Sequence, residues 1–131
     1  MNETEKAYIA GLTDGEGCIS ANKQFKKYHY LRVEITNTNP IMCDFLMKTV
    51  GYGSPHLVKK QKENWKSTIS WIVTNKQGEK FLREILPYLQ IKKQLAITGI
   101  ELRQANQARN TVLAKEIYEK MKLLNKKGAT K

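Results

Sequence analysis

Two acidic residues, Asp14 and Glu16, stand among three glycines in the run Tyr8-Ile9-Ala10-Gly11-Leu12-Thr13-Asp14-Gly15-Glu16-Gly17. A lone carboxylate does little in water, but two carboxylates brought together hold a divalent cation through hard oxygen donors. The spacing of the run says how two could meet. Asn2 caps a helix whose first turn carries Glu3 and Glu5, acids suited to the positive end of the helix dipole. Tyr8, Ile9 and Leu12 then form an apolar side, and Ala7, Ala10, Gly11 and Asp14 fall at the i, i+3, i+4 and i+7 positions of another. A glycine inside a soluble helix costs roughly 1 kcal/mol against alanine. Gly11 and Gly15, one turn apart, therefore need a reason, and close approach of another helix is one. Gly15 and Gly17 end the helix and leave Glu16 at its tip. If Ala7, Ala10, Gly11, Asp14 and Gly15 meet a two-fold copy of themselves, both copies of Glu16 arrive near the axis as a metal site.

Length and charge bound what such a site could act on. The 131 residues make one domain, 1–131, with room for a core. The formal charge is +11, from 23 Lys+Arg against 12 Asp+Glu. That excess favours a polyanion, nucleic acid being the commonest. Cys18 and Cys43 are the only cysteines and show no CxxC spacing, so neither a zinc site nor a disulfide framework is expected, and a reducing compartment fits. With no apolar run able to span a bilayer and no secretory signal, no membrane partner is expected. The expectation is a soluble intracellular protein, in a prokaryotic cytoplasm or an organelle matrix. Because the first helix begins near Met1, a free-standing reading frame is expected.

The elements that must position the carboxylates follow from periodicity. Cys18 to Phe25 alternates, with Ile19 and Ala21 on one side; Tyr28 to Thr36 alternates more clearly, with Leu31, Val33 and Ile35 facing a core. Lys26 and Lys27 make the turn between them. Asn39 and Pro40 start a helix that carries Met42, Phe45, Leu46 and Val50 and ends at Gly51. A second hairpin follows: a strand near His56 to Lys62, a turn at Glu63-Asn64, and a return strand with Trp65, Ile69, Trp71 and Val73 inward. Asn75 is expected to cap a third helix with Phe81, Leu82, Ile85, Leu86 and Leu89 on its stripe, interrupted at Pro87. Two further helical stretches, from about Lys92 to Arg109 and through Leu113, Ile117, Met121 and Leu124, precede a basic tail, Lys126 to Lys131, expected to fray. The class is α+β: one four-stranded antiparallel sheet backed by helices, with added C-terminal helices.

Such a sheet keeps one face on its helices and one in solvent. The solvated face carries Ser20, Asn22, Gln24, Lys26, Tyr28, Tyr30, Arg32, Glu34, Lys66, Thr68 and Ser70, with Lys59 and Gln61 on the basic third strand. Amide, guanidinium and hydroxyl groups are the types that read base edges in the major groove of duplex DNA. An eight-residue strand spans about 26 Å, so one chain could follow roughly 8 base pairs. Loop and tail lysines would meet phosphates. His29 and His56 have no partner for general-base work and are expected to be surface or structural.

Ile9 to Gly17 resembles the nine-residue signature of the LAGLIDADG homing endonucleases, with Ala10, Gly11, Leu12, Asp14 and Gly17 matching outright. Ile9, Thr13, Gly15 and Glu16 depart from it; Glu in place of Asp keeps a carboxylate that reaches a metal, and the Thr13 hydroxyl can bond the backbone one turn earlier. The αββαββα order is that of the family's core, so the resemblance covers essentially the whole chain. A chain with one signature implies a homodimer whose saddle-shaped sheets lie along a long, pseudo-palindromic duplex. It implies Mg2+, with Mn2+ able to substitute, at Glu16 and Gly15, and one cut per strand leaving short 3′ overhangs. Leu86 to Gln94 resembles the segment that supplies a catalytic lysine, which falls on Lys92; the water-positioning polar residue falls on Asn37. Asp14 is read as structural or supporting. Two other readings stay open: a non-cleaving intron-RNA maturase or DNA-binding regulator of the same fold, and a basic structural RNA-binding protein without catalysis.

Overall fold

The structure, a computed structural model, describes residues 1–25, 27–58 and 67–129. Its helices and strands alternate as expected. Helix α1, Glu3–Glu16, starts at an Asn2 capping box: the Asn2 side chain accepts from the Glu5 amide at 2.8 Å, and the Glu5 carboxylate accepts from the Asn2 amide at 2.9 Å. Strands β1, Gly17–Gln24, and β2, Tyr28–Asn37, form the first hairpin. Helix α2, Pro40–Val50, has Asn39 as its cap and stops at Gly51 in the left-handed region, φ 88°. Strands β3, Ser54–Val58, and β4, Thr68–Thr74, form the second hairpin. The expected third-strand residues Lys59 to Lys62, the turn at Glu63-Asn64, and Trp65 and Lys66 lie outside the described residues, as does Lys26.

The sheet is antiparallel throughout, in the order β1-β2-β4-β3. Its inner face supplies Ile19, Ala21, Leu31, Val33, Ile35, Trp71 and Val73, all enclosed. Against them pack Phe81, Leu82 and Ile85 of α3, Asn75–Ile85, then Ala96 and Ile100 of α4, Lys93–Gln107, and Ala114, Ile117 and Met121 of α5, Thr111–Ala129. A single 3-10 turn, Leu86–Tyr88, sits where Pro87 interrupts the third helix. The edge strand β1 is strapped by α5, whose Asn125 side chain donates to the Ile19 carbonyl at 2.9 Å. Filling an edge acceptor in this way removes a site for stray strand pairing.

Two details differ from expectation, and a third is narrowed by the structure. Asn75 does not cap α3: Thr74 occupies the cap position, while Asn75 adopts φ 51° and its side chain accepts from the Tyr28 hydroxyl at 3.2 Å. A strand running straight into a helix leaves no turn for a capping side chain. The expected frayed tail is helical as far as Ala129. His29 lies under the helices with its ring centroid 4.5 Å from that of Tyr118, and burial together with Lys23 and Lys115 lowers its pKa, so the role is structural. No helix among the described residues is long and apolar enough to cross a membrane.

The loop after α2 packs closely on Trp71. Gly53 has φ 113°, and a Cβ there would stand 2.3 Å from the Trp71 indole nitrogen, which donates to the Tyr52 carbonyl at 3.1 Å. Gly53→Ala is therefore expected to destabilise the fold by on the order of 2 kcal/mol or more. Urea unfolding checks this; an unchanged midpoint would contradict the packing described.

Candidate active site at the tip of the first helix

The chemistry-bearing residues converge at the C-terminal end of α1. Ile9, Ala10 and Thr13 anchor the helix in the core, and the buried Thr13 hydroxyl donates to the Ile9 carbonyl at 2.8 Å, one turn earlier. The helix breaks at Gly17, whose amide donates to the Thr13 carbonyl. A Cβ on Gly17 would meet that carbonyl oxygen at 2.7 Å, so glycine is required there by the chain itself. Glu16, the last helical residue, is exposed. The Asn37 side-chain amide, at the end of β2, donates to its carboxylate at 3.0 Å and fixes its orientation.

Asp14 looks inward along the chain. Its carboxylate accepts from the amides of Gln90 at 2.8 Å, Ile91 at 3.2 Å and Lys92 at 2.9 Å, just ahead of α4. In return the Lys92 ammonium donates to the Asp14 carbonyl at 2.8 Å. A carboxylate thus meets the positive end of one helix, and an ammonium meets the orphan carbonyls at the negative end of another. Glu16, Asn37 and Lys92 are brought together by this arrangement. Sequence reasoning placed Lys92 but missed the three amides. Their signal was an absence: Lys92 cannot accept from the first amides of α4 as a capping residue does, so an outside acceptor is needed.

The partner-facing set read from periodicity needs correction. Ala10 is wholly enclosed within the chain, and Asp14 directs its carboxylate to residues 90–92 of its own chain. What stays exposed is Ala7, Gly11 and Gly15, with nothing near a Cβ at either glycine, and Tyr8 at 59% exposure. Beside them runs a groove of about 630 Å3 lined by Tyr8, Leu12, Glu16, Ile41, Met42 and Phe45, among others.

Oxygen donors dominate the tip: the Glu16 carboxylate and the terminal carbonyls, including that of Gly15. Such donors fit Mg2+ or Mn2+ rather than a thiolate- or imidazole-seeking metal. Among the described residues no group of three or more His, Cys, Asp or Glu could hold a metal alone. Glu16 is the exposed carboxylate at this tip.

The outer sheet face begins where Glu16 ends. The registers set residues in rows across the strands: Thr36, Ser70 and His56; then Cys18, Glu34, Ile72 and Ser54; then Ser20, Arg32 and Thr74; then Asn22 with Tyr30, and Gln24 with Tyr28. Tyr28 and Tyr30 stack with centroids 6.3 Å apart, and Arg32 pairs with Glu34 at 3.4 Å. Ser70 is a correction: it is 1% exposed, covered by its neighbours, and its hydroxyl is 2.7 Å from that of Thr36. Thr68 is half-buried on this face; Lys26, Lys59, Gln61 and Lys66 lie outside the described residues. Thr36, Ser54, His56, Val58 and Ile72 also face outward, and the first-row position of His56 could be read only once the β3 register was fixed.

Comparison with solved structures defines the fold class. The homing endonuclease I-CvuI, solved in complex with the I-CreI target in the presence of Mg, superposes with a TM-score of 0.78 at 20% identity, over 93% of this chain and 82% of that one. The archaeal intron-encoded homing endonuclease I-Vdi141I, complexed with DNA, gives 0.77 at 17%, over 93% and 84%. The meganuclease I-SmaMI, bound to uncleaveable DNA, gives 0.61 at 17%, over 94% of this chain but 44% of that one. No curated protein sequence matches the chain. The family model of the LAGLIDADG-like domain matches residues 3–86, and the chain belongs to that family.

The Asp14 arrangement makes a local prediction. Asp14→Ala should leave the fold intact, lower its stability by about 1–2 kcal/mol, and speed amide exchange at Gln90, Ile91 and Lys92. Unchanged exchange at those three amides would show that the carboxylate does not hold them.

Proposed function

We propose that the protein is a site-specific DNA endonuclease that works as a homodimer, cutting one phosphodiester in each strand of a long, pseudo-palindromic duplex. The observation that carries this reading is the convergence of Glu16, Asn37 and Lys92 at one helix tip, where the hydrogen-bonding face of the sheet begins. Family membership and likeness to DNA-bound structures support it.

The dimer rests on what one chain leaves unexplained. Gly11 and Gly15 each cost helix stability, roughly 1 kcal/mol, with no neighbour in their own chain to justify it. Tyr8 and Ile41, 59% and 69% exposed, flank them. Packing of α1 against a second α1 buries this surface and sets two copies of Glu16 together.

Phosphodiester hydrolysis needs an aligned water, relief of charge on the phosphoryl oxygens and stabilisation of the leaving oxygen. Glu16, with the Gly15 carbonyl, would hold a divalent cation, Mg2+ or Mn2+, which when bound would supply Lewis-acid charge relief and a more acidic water. Asn37 keeps the Glu16 carboxylate turned toward its ligand and presents an amide that can orient water. Lys92 places a fixed ammonium at the helix tip for the charge that develops on phosphate. Ser20, Asn22, Gln24, Tyr28, Tyr30, Arg32, Glu34 and Thr68 address bases, and the lysines meet phosphates. Cuts on either side of the two-fold axis leave short 3′ overhangs. Intron RNA is a second substrate to test if duplex is bound and not cut.

Cleavage of a randomised duplex library with Mg2+ tests the reading. The native protein should cut one long, nearly symmetric sequence, and Glu16→Gln should bind it with similar affinity while losing on the order of 100- to 1000-fold in rate, the effect of removing a group central to charge stabilisation. Equal cutting by both proteins sinks the assignment of Glu16. Gly11→Leu, which a single chain accommodates, should convert a dimer to monomers in sedimentation; a dimer of unchanged stability would contradict the α1 interface.

A further inference from the structure

We propose that Glu34 and Ile72 together read one A·T base pair, with the thymine methyl against Ile72 and the adenine amino group on Glu34. The inference rests on the reading of the outer sheet face as the DNA-reading surface. Ile72 and Val58 are the branched aliphatic residues that the described strands place on that face, and Ile72 is the one set in the middle of a row. It is half-buried on β4, yet among the described residues it is not one of the half-buried apolar side chains that pack on the core. Its strand neighbours on the same face, Ser70 and Thr74, are hydroxyl residues, and across the strands it stands between Glu34 and Ser54. A branched aliphatic group in a polar row offers contact to an apolar feature of the ligand. In the major groove that feature is the thymine 5-methyl.

Glu34 completes the recognition. Directly paired residues on neighbouring antiparallel strands hold their Cβ atoms about 5 Å apart, so Glu34 and Ile72 address a single base pair. An A·T pair offers a methyl at one end of its major-groove edge and, past the thymine O4, the adenine N6 amino donor. Arg32 donates to Glu34 Oε2, which offsets the carboxylate's charge near a polyanion and leaves Oε1 to accept. A C·G pair also offers an amino donor, so the methyl is what separates the two. The row lies one step outward from that of Thr36 and Ser70, two residues along the strand or about 7 Å, which is about two base-pair steps.

The test uses the duplex site selected by the native protein from a random library. Replacing thymine with uracil removes only the methyl; purine in place of adenine removes only the amino group. In each half-site one thymine should show a loss of about fourfold in affinity on uracil replacement, and the loss should vanish in Ile72→Ala. The purine effect at its partner should vanish in Glu34→Ala. Circular dichroism should show both variants folded, since neither side chain belongs to the core. Uracil sensitivity that is absent at every thymine, or that persists in Ile72→Ala, overturns the proposal. Failure to bind any duplex selectively overturns the DNA-reading surface itself, and this inference with it.

Discussion

The structure turns on a reciprocal contact between two helix ends. Asp14, near the negative end of α1, holds three amides ahead of α4, and Lys92, at the positive end of α4, holds a carbonyl of α1. Each charge sits where the opposite helix end favours it, so the contact satisfies orphan backbone groups at both ends at once. It also does something neither helix could do alone. Lys92 comes from a segment nearly eighty residues away from Glu16, and without the Asp14 clasp its long side chain would be free to roam over the surface. Asn37 performs the matching service from the sheet, turning the Glu16 carboxylate from the end of β2. The site is therefore held from two sides, by a helix start and by a strand end.

The sheet separates the core from a hydrogen-bonding outer face. Its inner face is filled by Ile19, Leu31, Val33, Ile35, Trp71 and Val73 under three helices, so the outer face need not contribute to the core. Period-two alternation gives each strand both duties without compromise. The cost falls on the edge: β1 would offer unpaired carbonyls to any passing strand, and Asn125 of α5 answers one of them at Ile19. The C-terminal helix is in this sense a strap for the outermost strand as well as a layer of the core.

How much of this was legible in the sequence depended on whether the signal was local. Caps at Asn2, Asn39 and Gly51 were legible because they act within one turn. The strand alternation gave the inner residues of the described strands; the signature pointed to Glu16, and the separate segment Leu86 to Gln94 pointed to Lys92. Asn75 misled because capping requires a particular backbone entry, and β4 runs into α3 without it. Ser70 has the right parity for the outer face, but parity does not say that a short side chain flanked by Thr36 and other neighbours is covered. Ala10 misled for a related reason: small residues suit the interior and an interface equally, and periodicity cannot tell the two apart. The amides of residues 90–92 carry no side-chain signal at all, since what they needed was an acceptor contributed by α1.

The glycines of the signature carry the remaining argument. Gly17 is fixed by its own chain, since any Cβ there collides with the Thr13 carbonyl that ends the helix. Gly11 and Gly15 meet no such constraint; a Cβ on either would stand in open space, and alanine would strengthen the helix. The same short run thus contains glycines of two kinds, one needed to fold and two that the packing of the chain does not require. The single carboxylate at the helix tip has the same character, since no neighbouring His, Cys, Asp or Glu among the described residues completes a metal-holding group around it. In the proposed dimer a second copy of α1, closely packed, would answer both at once: it would give the open glycines a backbone to approach and Glu16 a second carboxylate.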